Sequence, residues 1–305
     1  MLQEYIDKFA IPGKLSFAEN EHGLLFATVT TDPCTAKIYF QGAHLAEWCP
    51  AGSEPVLFLS EKSFYEPGKA IRGGVPIIFP WFGARTANKY SQRTDGPSHG
   101  FARTSIWQLS EATVSDGKVN MTLTLDPNET SRELGFDNFR LSYKIVFGKN
   151  LALRLTVQNT SSEPFVFEEA LHSYFSIGDA KQVSIYGLVN TDYFDKTDEF
   201  KRKTQTENIL ALTSETDRPY INTKSTVYVQ DPLKKRRLVI SKENSATTVI
   251  WNPWSELSAK LPDMDHDAWQ QMVCVETANA LENAIELAPG ASHTMSVQIA
   301  SNKTA

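Results

Sequence analysis

The 305-residue chain has few cysteines, no long apolar run and no excess of basic residues. Its cysteines, Cys34, Cys49 and Cys274, form no CxxC pair and have no second His nearby, which argues against zinc and a disulfide framework. No apolar run reaches the ~20 residues of a transmembrane helix. The N-terminus is acidic where a signal peptide would be basic. The net charge of −6 disfavours a general nucleic-acid binder. We therefore expect a cytoplasmic protein that binds neither membrane nor nucleic acid.

Motifs of several enzyme classes are missing as well. The chain contains no HExxH, no P-loop, no GxGxxG after a strand and no GxSxG. The candidate site residues named below include neither a Ser or Cys nucleophile nor a cluster of metal ligands. Mechanisms that depend on a metal, a nucleotide or a covalent intermediate are therefore not indicated, and we expect no cofactor.

The dominant hydrophobic period is two, and helical periodicity is scarce. Strict alternation of apolar and polar residues predicts strands with one buried and one wet face. It occurs over residues 119–125, 141–147, 151–158, 227–229 and 295–299. Short helical stretches are predicted near residues 2–9, 257–260 and 268–272. No βαβ rhythm, internal repeat or linker is visible. The pattern predicts an all-β fold in which residues 1–305 form one antiparallel domain of two sheets packed face to face.

One apolar segment does not read as an ordinary strand. It runs Ile71-Arg-Gly-Gly-Val-Pro-Ile-Ile-Phe-Pro-Trp-Phe-Gly83. Its three Gly and two Pro weaken a central strand and indicate an irregular loop held against something. Arg72 within this apolar surface must meet an anion, line a pocket or pair with a structural carboxylate.

Two histidines lie in segments that suit acid–base chemistry. His99 is followed by Gly100, which would let a ligand approach the backbone closely, and Arg103 comes four residues after His99. His172 falls among apolar and aromatic residues, where its pKa can shift to suit proton transfer. Either histidine can equally be a satisfied structural residue.

A carboxylate and two further segments complete the candidates. Glu276 ends the apolar run Gln271-Met-Val-Cys-Val-Glu276, where a buried carboxylate with partners is a good general base. Trp251 and Trp254 flank an Asn-Pro turn and can stack on a sugar or belong to the core. Asp217 in a polar turn can hold a ligand hydroxyl or serve the turn alone. Together these residues can shuttle protons on a neutral or anionic small molecule.

In their order along the chain, these segments resemble the aldose 1-epimerase (mutarotase) superfamily, and within it the D-hexose-6-phosphate mutarotase branch. The resemblance extends from about residue 17 to about residue 299. It rests on Ile71-Arg-Gly-Gly-Val-Pro-Ile-Ile-Phe-Pro-Trp-Phe-Gly83, Ser98-His-Gly-Phe-Ala-Arg103, Leu171-His-Ser-Tyr-Phe175, Thr216-Asp-Arg218, Trp251-Asn-Pro-Trp254 and Met272-Val-Cys-Val-Glu276. It implies a galactose mutarotase-like β-supersandwich with a few short helices.

The resemblance also implies a function and a set of site residues. The function is an isomerase that interconverts the α and β anomers of hexose 6-phosphates, such as glucose 6-phosphate, without a cofactor. Glu276 would be the catalytic base and His172 the acid. The substrate-binding residues would be His99 near the anomeric end, Asp217 on sugar hydroxyls, and Arg72 and Arg103 on the phosphate. We expect a monomer whose partner is the small-molecule hexose phosphate.

Two alternatives stay open at this point. The substrate can be an unphosphorylated aldose, or the chain can be a catalytically silent module that binds sugar phosphates or has a regulatory role.

Overall fold

A computed structural model describes residues 2–87 and 90–304 of the chain. These residues are mostly strands, and every pairing between the strands named here is antiparallel. The first twelve strands are β1 (Leu15–Glu19), β2 (Leu25–Thr31), β3 (Cys34–Tyr39), β4 (His44–Pro50), β5 (Ile77–Ile78), β6 (Gln108–Ser115), β7 (Lys118–Leu125), β8 (Phe139–Phe147), β9 (Leu151–Asn159), β10 (Phe165–Phe167), β11 (Glu169–Leu171) and β12 (Tyr174–Ser176). The others are β13 (Ser184–Tyr186), β14 (Asp192–Asp195), β15 (Lys201–Thr204), β16 (Leu210–Ala211), β17 (Thr216–Tyr220), β18 (Val227–Asp231), β19 (Arg236–Glu243), β20 (Thr247–Asn252), β21 (Met272–Asn279), β22 (Ile285–Leu287) and β23 (Ser292–Lys303).

Two large sheets dominate the architecture. The nine-stranded sheet has the order β16-β13-β18-β19-β23-β9-β8-β7-β6. The eight-stranded sheet has the order β15-β14-β17-β20-β21-β11-β5, and β12 also pairs with β21. Strands β1 to β4 form a separate four-stranded sheet, and β10 pairs with β22. The predicted all-β class with large antiparallel sheets is confirmed.

The period-two pattern gives the strands their buried faces. In β7, Val119, Met121 and Leu123 are fully buried, whereas Asn120 and Thr122 between them are partly exposed. Strands β8 and β9 show the same alternation and form a hairpin through residues 148–150. The apolar faces of the four-stranded sheet and both large sheets contribute to one main hydrophobic cluster. That shared cluster supports the single-domain expectation, which stays a prediction.

Helices are short and peripheral. They are α1 (Leu2–Phe9), α2 (Glu129–Glu133) and α3 (Trp254–Ser258), with 3₁₀ turns at Arg85–Ala87, Ala268–Gln271 and Leu281–Asn283. Helix α1 was predicted, and α2 was not, because its five residues carry no apolar period. The Asn128 side chain caps α2 by accepting from the Ser131 amide at 2.9 Å. Among the described residues, no helix is long and apolar enough to cross a membrane.

Candidate active site

One cleft brings together all six residues predicted for the site. Its volume is about 280 Å³. Eleven residues line it: Arg72, Phe82, Ser98, His99, Arg103, His172, Tyr174, Lys196, Asp217, Trp251 and Glu276. The structure therefore assembles Arg72, His99, Arg103, His172, Asp217 and Glu276, although as many as 204 positions separate the first from the last (276 − 72 = 204). Their individual roles stay predictions.

Strand β21 carries Glu276 into the cleft. All eight residues of this strand are buried, because β20 flanks it on one side and β11 and β12 on the other. His172 lies in the two-residue connection between β11 and β12, both of which pair with β21. This register brings Nε2 of His172 to 3.3 Å from Oε1 of Glu276.

Arg72 is held by side chains from two other parts of the chain. Its Nη1 donates to the Tyr174 hydroxyl at 3.1 Å, and its Nη2 donates to Oδ1 of Asp263, also at 3.1 Å. The Ser63 hydroxyl accepts from the Arg72 main-chain amide at 2.7 Å. Two of the interpretations offered for Arg72 therefore hold together, since it pairs with a carboxylate and also lines the cleft.

Arg103 is bound less completely than Arg72. Its Nη2 donates to the main-chain oxygen of the exposed Ser98 at 2.7 Å. Over residues 2–87 and 90–304, no carboxylate lies within ion-pair distance of Arg103. Burial lowers the pKa of Arg103, and the nearby charge of Arg72 acts in the same direction. An anionic ligand would relieve this crowding of positive charge.

His99 is fixed in one tautomer by the main chain. Its own amide donates to the Gly83 oxygen at 2.7 Å, and the Gly83 amide donates to Nδ1 of His99 at 3.2 Å. Since Nδ1 accepts, a neutral His99 carries its proton on Nε2 and can donate from there. Burial lowers the pKa of His99 well below its usual value, and the positive charge of Arg103 adds to this.

Gly100 serves the fold and not the ligand. It has a φ of +73°, and a Cβ at this position would collide with the main-chain oxygen of Phe79, with which Gly100 forms a bridge. The sequence interpretation, which reserved this space for a ligand, was wrong. The space is occupied by the backbone of the 71–83 segment.

Asp217 and Lys196 form an ion pair at the cleft. Nζ of Lys196 lies 2.6 Å from Oδ2 of Asp217, and the Lys196 amide donates to the Asp217 main-chain oxygen at 3.0 Å. Asp217 also faces Trp251 across the β17–β20 pairing. Burial raises the pKa of Asp217, and Lys196 opposes this shift. Trp251 lines the cleft, whereas Trp254 packs on Trp269 with ring centroids 4.2 Å apart.

Burial shifts the Glu276–His172 pair away from charge. It raises the pKa of Glu276 well above its usual value, and the negative charge of Asp217 adds to the shift. It lowers the pKa of His172 well below its usual value, and the positive charges of Arg103 and Arg72 add to that shift. Both directions keep the empty cleft near a state in which the pair binds one proton.

The sequence reasoning did not name four residues of the cleft as site candidates: Phe82, Ser98, Tyr174 and Lys196. Tyr174 lies two positions after His172 in the quoted segment Leu171-His-Ser-Tyr-Phe175, and a period-two pattern could have placed both side chains on one face. Lys196 is contributed by the turn after β14, and no local signal in the sequence distinguishes it.

A larger cavity of about 560 Å³ has a different character. Its walls include the apolar residues Trp48 and Leu57 and the carboxylates Glu61, Asp265 and Asp267. Of the described residues that line it, none is a His, Lys or Arg, so it lacks the imidazoles and cationic side chains of the smaller cleft. Separately, the part of the chain that the structure describes contains no group of three or more His, Cys, Asp or Glu side chains placed to hold a metal ion.

The fold and the cleft define an all-β protein with a paired carboxylate and imidazole beside cationic side chains. The family model for aldose 1-epimerase matches residues 27–300. A Salmonella typhimurium protein provisionally named glucose-6-phosphate 1-epimerase is 35% identical over 256 residues, which cover 83% of each chain. One from Cenchrus ciliaris with the same provisional name is 33% identical over 266 residues, or 84% of this chain and 78% of that one.

A solved structure agrees with these relatives. The crystal structure of a Salmonella typhimurium protein provisionally described as a mutarotase has a TM-score of 0.89 and 31% identity, covering 97% of this chain and 96% of that one. The chain therefore belongs to the aldose 1-epimerase family, a family of isomerases. The family resemblance, the fold class and the enzyme class predicted from sequence are confirmed.

Proposed function

We propose that this protein interconverts the α and β anomers of hexose 6-phosphates, with glucose 6-phosphate as the reference substrate. The observation that carries the proposal is the order of groups along the cleft. Arg72 contacts Tyr174, which stacks on His172; His172 lies against Glu276; and Asp217 acts electrostatically on Glu276.

This order matches the order of atoms around a hexopyranose 6-phosphate. The phosphate is carried by C6, which is joined through C5 to the ring oxygen. The ring oxygen is bonded to C1, and C2 follows. With the phosphate toward Arg72 and Arg103, the ring oxygen falls near His172, the C1 hydroxyl near Glu276 and the next hydroxyls near Asp217. Reversing the sugar would direct its dianion toward the Asp217 carboxylate.

The reaction then requires one proton acceptor and one proton donor. Glu276 takes the proton of the C1 hydroxyl while His172 gives a proton to the ring oxygen, so the bond between C1 and the ring oxygen breaks and an aldehyde forms. The aldehyde turns about the C1–C2 bond, and the ring closes on its other face as His172 recovers its proton and Glu276 returns one. The neutral His99 donates from Nε2 to a sugar oxygen.

The substrate's phosphate would also prepare the acid. Arg72 and Arg103 lower the pKa of His172 in the empty cleft. A phosphate dianion bound to them offsets their charge, which favours a proton on His172 over one on Glu276. The phosphate therefore contributes to kcat as well as to binding.

The cationic side chains support a phosphorylated substrate over a free aldose. Arg72, Arg103 and Lys196 line the cleft with the two carboxylates Asp217 and Glu276. A guanidinium matches phosphate oxygens in bidentate geometry. The names of both relatives refer to glucose 6-phosphate, which agrees with this choice. The silent-module alternative has no supporting observation, whereas His99, His172 and Glu276, the three residues that the proposed reaction needs, line one cleft.

The experiment is to prepare pure α-glucose 6-phosphate and α-glucose and follow their anomerisation by polarimetry, each corrected for the spontaneous rate. We expect kcat/KM for the phosphorylated sugar to exceed that for glucose by about 30-fold or more, since a charged contact of ~2 kcal/mol corresponds to that ratio. Equal values would favour an unphosphorylated aldose, and binding without turnover would favour the silent module.

A further inference from the structure

His172 lacks the hydrogen bond that usually orients a catalytic imidazole. In most acid–base sites, one ring nitrogen reacts and the other is held by a carboxylate or a carbonyl group. Here Nε2 faces Glu276, and Nδ1 is buried. Within residues 2–87 and 90–304, Nδ1 has no hydrogen-bond partner on another residue.

Aromatic packing holds the ring instead. The Tyr174 ring lies parallel to the imidazole, with centroids 4.8 Å apart and an interplanar angle of 11°. Trp251 meets both rings edge-on at 82°, and His99 contacts His172 edge-on at 5.7 Å. Tyr174 is 3% exposed, so its ring is itself fixed by the surrounding side chains. A flat ring packed against the imidazole face prevents it from rotating out of line with Glu276.

The hydroxyl of Tyr174 connects the same side chain to the phosphate end of the cleft. It accepts a hydrogen bond from Nη1 of Arg72, whose Nη2 is held by Asp263. Burial raises the pKa of Tyr174, so the phenol is neutral at physiological pH. One side chain therefore contacts the proton donor with its ring and an arginine with its hydroxyl.

We propose that Tyr174 is the positioning residue for His172, its ring replacing the missing hydrogen bond and its hydroxyl aligning Arg72 for the substrate's phosphate. This inference rests on the proposed function for its kinetic test. The two parts of the Tyr174 side chain have different kinetic effects, because the ring acts on kcat and the hydroxyl acts on KM.

Two substitutions distinguish the parts. Tyr174→Phe keeps the ring and removes the hydroxyl, so kcat for glucose 6-phosphate should stay within about threefold of the parent. KM should rise about 3- to 10-fold, the range of one ordinary hydrogen bond, because Arg72 loses its contact with Tyr174 but keeps the one with Asp263. Tyr174→Leu removes the ring as well, and kcat should fall about 10- to 100-fold, as small misplacements of a reacting group do.

The matched control is Phe175→Leu. Phe175 is the next residue of β12 and packs in the main hydrophobic cluster, away from the cleft. The Phe175→Leu substitution should lower the temperature of thermal unfolding and leave kcat near the parent value. A kcat for Tyr174→Leu within about twofold of the parent overturns the inference, and so does a loss in Tyr174→Phe as large as that in Tyr174→Leu.

A second readout does not depend on turnover. In NMR spectra of protein labelled with ¹⁵N in histidine, we expect one sharp set of His172 ring signals in the parent and in Tyr174→Phe, and broadened or multiple signals in Tyr174→Leu. Unchanged sharp signals in Tyr174→Leu would overturn the positioning role. Failure of the parent to turn over glucose 6-phosphate would instead reject the proposed function, and the NMR comparison would still decide on Tyr174.

Discussion

The Oε1 atom of Glu276 lies 3.3 Å from Nε2 of His172, and the two side chains are 2% and 9% exposed. The charged form of each group is disfavoured, since the pKa of Glu276 is raised and that of His172 is lowered. In the free protein these shifts favour one proton on the pair, bound mainly by Glu276. A reaction that takes a proton from one sugar oxygen and gives one to another uses such a pair in both directions.

The first prediction concerns this pair. Glu276→Gln keeps the shape and removes the base, and His172→Asn removes the acid. Each should lower kcat for glucose 6-phosphate about 10²- to 10⁴-fold, the usual contribution of a positioned acid or base. The dissociation constant, measured calorimetrically, should change much less. Because the two groups act as one unit, the double variant should lose little more than either single variant.

The pair assignment would be wrong if either single variant kept a kcat near that of the parent. A large rise in the dissociation constant with kcat unchanged would place the residue in binding only.

The second prediction separates the two arginines. Arg103 has no carboxylate partner in the described part of the chain, so Arg103→Ala should raise KM for glucose 6-phosphate about 30-fold or more and affect glucose little. Arg72 pairs with Asp263, and Arg72→Ala should in addition lower the unfolding temperature, because it leaves a largely buried carboxylate unpaired. Steady-state kinetics with both sugars and thermal denaturation measure these effects. Equal kinetic losses for both sugars in Arg103→Ala would identify Arg103 as a hydroxyl contact or a structural brace.

The third prediction tests the packing beneath His99. Gly100→Ala places a Cβ against the Phe79 carbonyl at a φ of +73° and should lower the free energy of unfolding by about 3 kcal/mol or more. Gly117→Ala is the matched control, because Gly117 has a φ of +72° with nothing within 4 Å of the added Cβ, and its cost should be about 1 kcal/mol. Urea denaturation compares them. Equal losses would show that the contact with Phe79 has no energetic weight.

Local signals in the sequence account for much of the fold. Alternating apolar residues in β7, β8 and β9 define a buried face whatever the partner strand, so these strands could be predicted without the tertiary structure. Residues 168–175 resemble a strand in the sequence, but the two-residue strand β5 and the division of that stretch into β11 and β12 could not be predicted, because two or three residues carry no period. They are stabilised as strands by pairing with each other and with β21, which comes about a hundred or more positions later in the chain.

The same distinction holds for the cleft. Glu276 and His172 stand out because a polar residue within an apolar strand segment is unusual, and the resemblance assigned them roles. Lys196 gives no such signal, since a lysine in a polar turn is ordinary. Only the pairing of β14 with β17 brings it against Asp217. The hydrogen bond that His99 accepts at Nδ1 could not be predicted from the sequence, because its donor is the Gly83 amide in a separate loop.

The fourth prediction concerns Lys196. Lys196→Met leaves the partly buried Asp217 carboxylate without its cation, and the pKa of Glu276 should rise further because Lys196 lowers it in the parent. We expect kcat/KM for glucose 6-phosphate to fall about 10- to 100-fold, the loss of a hydrogen bond between charged groups. The double variant Lys196→Met with Asp217→Asn lacks the uncompensated charge. Its pH profile should return to that of the parent, whereas the contacts of Asp217 with the sugar hydroxyls should stay lost. A pH profile of Lys196→Met identical to that of the parent would show that the ion pair does not act on Glu276.

The last prediction is the shape of the pH profile of kcat/KM, which reports the free enzyme. The active form has one proton on the pair, with Glu276 ionised and His172 protonated at the moment of reaction. Activity should fall at low pH, where the pair binds a second proton, and at high pH, where it loses its only one, giving a bell.

The pKa shifts caused by burial decide which group titrates on each side of the bell. Because the pKa of His172 is lowered and that of Glu276 is raised, the second proton is bound mainly by His172 and the last one is released mainly by Glu276. The alkaline limb of the bell therefore belongs to the carboxyl group and the acid limb to the imidazole, as macroscopic constants of a coupled pair. In Glu276→Gln the remaining activity should need only a protonated His172, so it should fall as the pH rises and show no acid limb, while in His172→Asn it should need only an ionised Glu276 and fall as the pH is lowered. Stopped-flow polarimetry from pH 4 to pH 10 at low substrate concentration measures kcat/KM for the parent and both variants. The values are corrected for the titration of the substrate's own phosphate. A midpoint for Glu276→Gln above the midpoint for His172→Asn would show that the free enzyme holds Glu276 and His172 as an ion pair, and a flat profile of the parent would exclude both groups as the proton carriers.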